Sequence, residues 1–202
     1  TRLQGDWSSD VCSSDLAALD LLRQRGLAIE SVAIDPTAPT GTVAVALDAH
    51  GVPTYEIARD VAWDRLSAAP TALRAMANAD AVCFGTLAQR SSASCAAIHA
   101  CLRAVRPDAL RILDLNLRAP FWTVDVIFAS LAAANVLKLN ESEWEVLCGI
   151  AGLMPSLEVA LPQLALRYNL GAVALTLGAR GSLLWHRGAL HHRSAEIGRA
   201  HV

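Results

Sequence analysis

The feature of this 202-residue chain that most constrains its fold is a pair of short apolar runs that break into polar residues or glycines. The first run covers residues 136–139 and continues into Asn-Glu-Ser-Glu (140–143), and the second covers 173–177 and continues into Gly-Ala-Arg-Gly (178–181). Such runs are typical of buried parallel strands, whose carboxyl ends meet at one ligand-binding edge of a sheet. We therefore expect Asn140, Glu143, Thr176 and Gly178 to come together along a single rim.

From residue 71 onward, predicted helices and strands alternate. Helices are predicted at 71–77, 91–105, 122–133, 141–148 and 157–168, and strands at 81–84, 110–115, 135–139, 172–177 and 182–185. Strands separated by helices of this length need parallel crossover connections. The pattern predicts an α/β fold with a mostly parallel sheet flanked by helices.

The first third of the chain has a different pattern. Residues 17–25 predict the end of an amphipathic helix that Gly26 caps, and residues 31–34 predict a short strand. Residues 41–48 alternate with period two, and residues 54–57 follow after a short turn, so the pair predicts a β-hairpin. This hairpin is the one clearly antiparallel signal in the sequence.

Composition and charge exclude several functional classes. The net charge is −2 and no basic run occurs, which argues against a nucleic-acid partner. No apolar run approaches the roughly eighteen residues that a membrane span needs. Of the five cysteines, the four beyond residue 16, at positions 83, 95, 101 and 148, lack the C-x-x-C spacing. The apolar surroundings of Cys83 and Cys148 are typical of buried free thiols, which favours a reducing cytoplasm.

Asn140 and Glu143 allow two interpretations. Asn at a helix N-cap with Glu three residues later is a capping box, which stabilises a helix by about 1 kcal/mol and has no catalytic role. The same residues follow Lys138 at the end of an apolar strand, so they could also act at the ligand-binding edge of the sheet. The two roles can coexist in the same side chains.

The segment from Thr176 to Gly181 also allows two interpretations. Its glycines permit a sharp turn and a close approach of a nucleotide to the backbone, but an ordinary turn between two strands uses glycine in the same way. It is neither a Walker A loop nor a dinucleotide fingerprint, and no Gly-x-Gly-x-x-Gly follows a first strand, which argues against an NAD-dependent oxidoreductase.

The run Asp-Leu-Asn-Leu-Arg (114–118) lies where a predicted strand ends. The planar guanidinium of Arg118 suits a phosphate or a carboxylated sugar, whereas a local Asp–Arg pair that caps the next helix is the alternative.

Taken together, Lys-x-Asn-x-x-Glu (138–143) and Thr-x-Gly-x-x-Gly (176–181) resemble the nucleotide half of the ribokinase-like (PfkB) carbohydrate kinases. The resemblance implies ATP and Mg²⁺ as cofactors and a small-molecule sugar as substrate. It implies nucleotide contacts by Lys138, Asn140, Glu143, Thr176, Gly178 and Gly181, with Glu143 supporting the metal through water.

Further segments resemble fructokinase-like members of that family. The Asp-x-Asn-x-Arg run implies substrate contacts by Asn116 and Arg118, and residues 40–58 resemble the family's β-hairpin lid, in which Thr42 and Tyr55 would face the sugar. Tyr55 could equally be a half-exposed strand residue. Lids of this kind can pair two copies into a homodimer. The alternatives are a 2-keto-3-deoxygluconate-type sugar-acid kinase or a non-catalytic nucleotide- or sugar-binding protein of the same fold.

The two ends of the chain are related at the level of DNA. Residues 9–15, and residues 197–202 with a stop codon, can be encoded by one DNA string read in opposite directions, and that string resembles a sequencing adapter. We therefore expect 1–16 and 196–202 to be non-native and 17–195 to be a partial kinase domain. The family's catalytic Asp, in a Gly-Ala-Gly-Asp motif, is expected beyond residue 195, so the 202 residues alone are expected to be inactive.

Overall fold

The computed structural model describes residues 19–48, 50–51, 53–154 and 156–195. Residues 19–24 are helical and form α1. The other helices are α2 (Pro70–Asn78), α3 (Ser92–Ala104), α4 (Val124–Ala133), α5 (Glu141–Ala151) and α6 (Leu157–Tyr168). The strands are β1 (Val43–Leu47), β2 (Pro53–Ile57), β3 (Ala81–Gly85), β4 (Leu110–Asp114), β5 (Val136–Asn140), β6 (Ala172–Thr176), β7 (Ser182–His186) and β8 (Ala189–Arg193).

The strands form two sheets. β1 and β2 pair antiparallel as an isolated hairpin, and the other six strands form one sheet in the order β3-β4-β5-β6-β7-β8. β3 to β6 are parallel, while β7 and β8 extend the sheet as antiparallel strands. The predicted α/β class, the mostly parallel sheet and the small hairpin are confirmed.

Two predictions about individual strands were wrong or incomplete. The predicted strand at 31–34 is absent. The segment pairs with no strand in the part of the chain that the structure describes, and Ile34 is 72% exposed. The sequence pattern missed β8, which returns through a two-residue turn at Arg187 and Gly188, both at positive φ. Arg-Gly is a less familiar signal for such a turn than Asn-Gly.

The core lies on one face of the large sheet. Leu137 and Leu139 of β5 are fully buried, as are Leu113 of β4 and Val173 of β6, and they pack with α4, α5 and α6. Because side chains alternate across a strand, the intervening Lys138 points to the other face, where it is 40% exposed. In the described residues, no helix combines the length and the apolar character that a bilayer crossing requires.

Candidate functional site

The carboxyl ends of β5 and β6 bring the two predicted motif halves side by side. Asn140 pairs with Thr176 in the parallel register, and the Thr176 hydroxyl donates a hydrogen bond to the Leu139 carbonyl at 3.4 Å. Gly178 follows in the next turn, and Glu143 lies in the first turn of α5. We call residues 138–143 and 176–181 the strand-end rim. The structure thus places Asn140, Glu143, Thr176 and Gly178 along one edge.

Glu143 organises the start of α5. Its side chain accepts hydrogen bonds from two backbone N–H groups, that of Asn140 at Oε2 and that of Leu117 at Oε1, both at 2.9 Å. The Asn140 side chain accepts from the Glu143 backbone N–H at 3.0 Å, which completes a capping box. Glu143 is only 6% exposed. The carboxylate therefore also ties the segment after β4 to the rim, a contact that the capping pattern alone does not predict.

Lys138 pairs with Asp114 across neighbouring parallel strands. The two residues are register partners, and Nζ of Lys138 lies 2.9 Å from Oδ1 of Asp114. An ammonium group has three donors, so the pair leaves donors of Lys138 for another anion. Both side chains remain more than one-third exposed, which keeps this pair open to a ligand.

The glycine turn after β6 contains two glycines with different surroundings. Gly178 (φ 56°) has no atom within 4 Å of the position that a Cβ would occupy. Gly181 (φ 97°) would place a Cβ 1.9 Å from the carbonyl oxygen of Arg193 at the end of β8. The conformation of Gly181 is thus required by packing within the protein, whereas Gly178 faces open space that a ligand could approach.

A charged contact joins the two loops of the rim. Arg180 of the glycine turn forms an ion pair with Glu141 in the first turn of α5, and this contact raises the pKa of the Arg180 guanidinium. The ring of His192 lies 3.1 Å from the Arg180 carbonyl oxygen. The turn after β6 is therefore held against the start of α5 from one side and against β8 from the other.

A cavity of about 240 Å³ lies beside the ends of β3 and β4. Its walls come from the hairpin side and from the sheet edge: Trp63, Gly85, Thr86, Leu87, Ala88 and Asn116. Thr86 is fully buried, and its hydroxyl donates to the Leu115 carbonyl at 2.9 Å, which fixes the wall between the two strands. Of the predicted substrate contacts, Asn116 lines this cavity, with its backbone in the left-handed region (φ 41°).

The other predicted substrate contacts lie away from the cavity wall. Arg118 is exposed, and its guanidinium makes no hydrogen bond or ion pair with the described residues. Thr42 is exposed at the start of the hairpin, and Tyr55, on β2 opposite Val45, is 62% exposed. These three side chains are therefore free in the described structure, and the cavity wall does not include them.

The sequence pattern missed a charged cluster beside the cavity. Nε and Nη2 of Arg90 each lie 2.7 Å from one carboxylate oxygen of Asp64, and Arg90 also contacts the rings of Trp63 and Phe121. The Arg90 guanidinium holds the pKa of the Asp64 carboxyl below its usual value. The two residues are 26 positions apart, so no local spacing could have revealed the pair.

The magnesium ion that the resemblance implies would be held mainly by nucleotide and water, since the described residues provide no cage of protein ligands for it. No group of three His, Cys, Asp or Glu side chains in the described ranges could hold a metal ion. Glu143 already accepts one backbone hydrogen bond at each oxygen, but a carboxylate oxygen has a second acceptor site for water. Mg²⁺ usually keeps several waters and takes few protein ligands beside nucleotide phosphates.

Comparison with known proteins agrees with this geometry. Residues 15–200 match the pfkB family carbohydrate kinases, which is more than half of the chain. The chain therefore belongs to the pfkB family of carbohydrate kinases. No curated protein sequence matches it closely enough to count as a relative.

Several solved structures share the fold. A fructokinase from Xylella fastidiosa is 18% identical with a TM-score of 0.77 over 89% of this chain and 57% of its own. An uncharacterized sugar kinase from Pyrococcus horikoshii in complex with ATP is 19% identical with a TM-score of 0.72 over 91% of this chain and 58% of its own. A nucleoside kinase from Burkholderia thailandensis in complex with inosine is 16% identical with a TM-score of 0.68 over 91% and 55%. The chain thus spans less than two thirds of the length of these structures.

Proposed function

We propose that the full-length protein is an ATP-dependent sugar kinase that transfers the γ-phosphate of ATP to a hydroxyl of a fructose-like sugar. The observation that carries this proposal is the pairing of Asn140 with Thr176 at the carboxyl edge of the sheet, in a chain that belongs to a carbohydrate kinase family. That edge is where open α/β sheets bind ligands. The fructose-like preference rests on the Asp-x-Asn-x-Arg run that contains Asn116 and Arg118.

The strand-end rim supplies groups that suit a triphosphate. Lys138 offers ammonium donors, and the hydroxyl of Thr176 and the open backbone at Gly178 leave room for phosphate or ribose oxygens. Asn140 and Gly181 keep the two loops in place, through the capping box and the turn. A bound Mg²⁺ would neutralise charge that develops on the transferred phosphoryl group. Glu143 would orient one of its waters.

On the acceptor side, the cavity beside Asn116 would hold the sugar, and the β1–β2 hairpin would close over it. Exclusion of water is needed because water would otherwise accept the phosphoryl group of ATP. Thr42 and Tyr55 lie on the hairpin, and Arg118 follows Asn116, so these exposed side chains could reach a sugar only when the hairpin and the cavity wall come together. The sugar hydroxyl must lose its proton to a base during transfer, and the resemblance assigns that base to an Asp beyond residue 195.

The direct test is an assay of the full-length protein with ATP and a panel of ketoses, aldoses and sugar acids. Formation of ADP is measured, and the phosphorylated product is identified by mass spectrometry. We expect the highest kcat/KM with fructose or a related furanose sugar. Absence of phosphorylation with every sugar would overturn the proposal. The same assay on the 202-residue chain tests the prediction that it is inactive alone, and turnover above that of its Glu143→Gln variant would contradict that prediction.

Gly178→Ala tests the nucleotide position separately. A Cβ at residue 178 meets no protein atom within 4 Å, so the substitution strains only the left-handed backbone, at about 1 kcal/mol. If ATP passes along this turn, its affinity should fall at least about tenfold, because the methyl group occupies ligand space. Gly188→Ala is the matched control, since it has a positive φ and open space but lies in the β7–β8 turn. Equal ATP affinity in the two variants would show that the nucleotide does not pass along this turn.

A sugar-acid kinase is the second candidate, and Arg118 is the observation that favours it. Its guanidinium is exposed and without a partner in the described structure, which suits a substrate carboxylate. Arg118→Gln should then weaken the binding of 2-keto-3-deoxygluconate far more than the binding of fructose. Equal losses of affinity for the two substrates would favour a neutral sugar. Binding of ATP and sugar without any transfer would instead indicate the non-catalytic binding protein.

Two further proposals concern the setting of the protein. The four described cysteines are free thiols, which supports a reducing cytoplasmic location. One face of the hairpin carries exposed apolar side chains, including Val45 and Tyr55, which supports homodimer formation through the lid. Light scattering of the full-length protein and of its Val45→Lys variant tests the dimer, which the substitution should dissociate.

A further inference from the structure

The β1–β2 hairpin is attached to the rest of the protein by its base. All residues of its two strands except Ile57 are exposed. The base consists of residues 39–42 and 58–66, where the Ala58 N–H donates to the Thr42 carbonyl and the Ala62 N–H donates to the Pro39 carbonyl. We call these two segments the hairpin base. Because the strands themselves are exposed, the direction in which the hairpin points depends on how this base is held.

Arg90 holds the hairpin base from the body of the protein. Its guanidinium makes the bidentate pair with Asp64, and Nη2 also donates to the Ala58 carbonyl at 2.6 Å. The side chains of Arg90 and Asp64 are only 8% and 11% exposed. A single buried guanidinium therefore contacts both the residue that closes the hairpin and the turn that follows it.

Aromatic rings connect the same guanidinium to the cavity. Arg90 lies 4.6 Å from the centroid of the Phe121 ring and 5.6 Å from that of Trp63. Trp63 lines the cavity, and its ring packs closely against Gly41. A Cβ added at residue 41 would lie only 2.6 Å from the Trp63 ring. Arg90 thus contacts the residue that follows β2 and the ring that forms one wall of the cavity.

The start of α3 adds a second set of contacts to the same base. The Ser91 hydroxyl donates to the Asp64 carbonyl at 2.5 Å, and the Ser94 hydroxyl donates to the Trp63 carbonyl at 2.7 Å. Arg90 directly precedes Ser91, so the base is joined to the segment between the end of β3 and the first turn of α3.

The cluster is not arranged for stability alone. Nη1 of Arg90 and Nε1 of Trp63 are buried and have no hydrogen-bond partner among the described residues. Buried donors without partners are unfavourable, and an apolar pair of similar volume is often at least as stable as a buried ion pair. A buried arginine at this place is better explained by what it positions.

We propose that Arg90 is a positioning residue that holds the β1–β2 hairpin over the cavity and thereby sets the affinity for the sugar acceptor. The inference rests on the proposed sugar kinase activity. A hairpin released from its base occupies the closed position for a smaller fraction of time, and the apparent dissociation constant of the sugar rises by the inverse of that fraction. ATP would bind at the strand-end rim, away from the base, so its affinity should stay nearly constant.

The kinetic test compares three variants of the full-length protein. Arg90→Met removes the guanidinium, Arg90→Lys keeps the charge but loses the planar fork, and Arg106→Met removes an exposed arginine that pairs with Asp80 and Asp108. We expect both Arg90 variants to raise the KM for sugar about tenfold with the KM for ATP within about twofold, and Arg106→Met to change neither. ATP hydrolysis without sugar phosphorylation should also increase in the Arg90 variants. If Arg90→Met does not fold, Arg90→Lys carries the test.

A parallel rise of both KM values, or unchanged constants in Arg90→Lys, would overturn the proposal. Hydrogen exchange of the Ala58 amide provides a readout that needs no activity. We expect it to exchange faster in Arg90→Lys than in the wild-type protein, and to be unchanged in Arg106→Met. Unchanged exchange in Arg90→Lys rejects the positioning role, whereas a wild-type protein that phosphorylates no sugar rejects only the proposed function.

Discussion

The strand-end rim and the hairpin base are held by different kinds of contact. In the rim, Asn140 and Glu143 lie three residues apart and cap their own helix, directly after the buried Leu139. In the hairpin base, Arg90 reaches Asp64 across 26 residues and Ala58 across 32 residues. The rim therefore combines a local capping box with longer-range contacts on a packed core. The hold of Arg90 on the base consists entirely of contacts between segments distant in sequence.

This difference separates a rigid edge of the sheet from an element with little anchoring to the core. The rim is anchored in the core cluster that includes Leu137 and Leu147, so displacing it would disrupt packing. The hairpin shares little buried surface with the body, and such segments belong to the least stable parts of a fold. The same chain thus contains a fixed half and an adjustable half of one proposed site.

The largest effect should come from closing the space at Gly181. Gly181→Ala places a Cβ 1.9 Å from the Arg193 carbonyl oxygen at a φ of 97°, so we expect a loss of more than about 3 kcal/mol in the free energy of unfolding. Gly188→Ala has a φ of 84° but open space, and should cost about 1 kcal/mol. Urea denaturation measures both. Equal losses in the two variants would mean that the close approach of β8 does not restrict the residue at position 181.

The next largest effect should follow removal of the Glu143 carboxylate. Glu143→Ala leaves the backbone N–H groups of Leu117 and Asn140 without acceptors, and each bond to a charged group contributes about 1.5 kcal/mol, so we expect a loss of about 3 kcal/mol. Glu145→Ala, an exposed position of the same helix, should change stability by less than about 0.5 kcal/mol. A small loss at Glu143 would show that the rim does not depend on its capping box.

Acid should weaken the hairpin base through Asp64. Its pKa is lowered in the folded protein, mainly by the hydrogen bonds from Arg90, so the unfolded chain binds the proton more readily. The stabilisation is fully present above the ordinary pKa of about 3.9 and is lost as pH falls through the lower folded value. We expect the stability difference between the wild-type protein and Asp64→Asn to shrink as pH falls below about 4. Denaturation at several pH values measures it, and a constant difference would show that the carboxylate charge does not hold the base.

The smallest effect on stability should be that of Tyr55→Ala. Tyr55 is 62% exposed, so its removal should change the free energy of unfolding by less than about 0.5 kcal/mol. If the hairpin closes over sugar, the same variant should still raise the KM for sugar. Val159→Ala, at a half-exposed position of α6, is a control that should affect neither quantity. An unchanged KM in Tyr55→Ala would assign Tyr55 to the solvent face of the hairpin.

Much of the architecture could be predicted because it follows from local patterns. Apolar runs of about five residues predicted β3 to β7, and the alternation at 41–57 predicted the hairpin. The strand expected at 31–34 did not form, since a strand needs a pairing partner that a short apolar segment alone does not provide. β8 was missed because its signal lies in the pairing of His186 with Ala189 across a two-residue turn.

The candidate site divides in the same way. The sequence by itself determined the strand ends, the capping box of Asn140 and Glu143, and the glycine turn, because these depend on residues within a few positions of each other. Only the tertiary structure decided that Glu143 also binds the Leu117 amide, that Gly181 is required by Arg193, and that Arg90 holds the hairpin base. Contacts between distant segments arise from how the sheet and helices pack, and a local spacing pattern contains no measure of that packing.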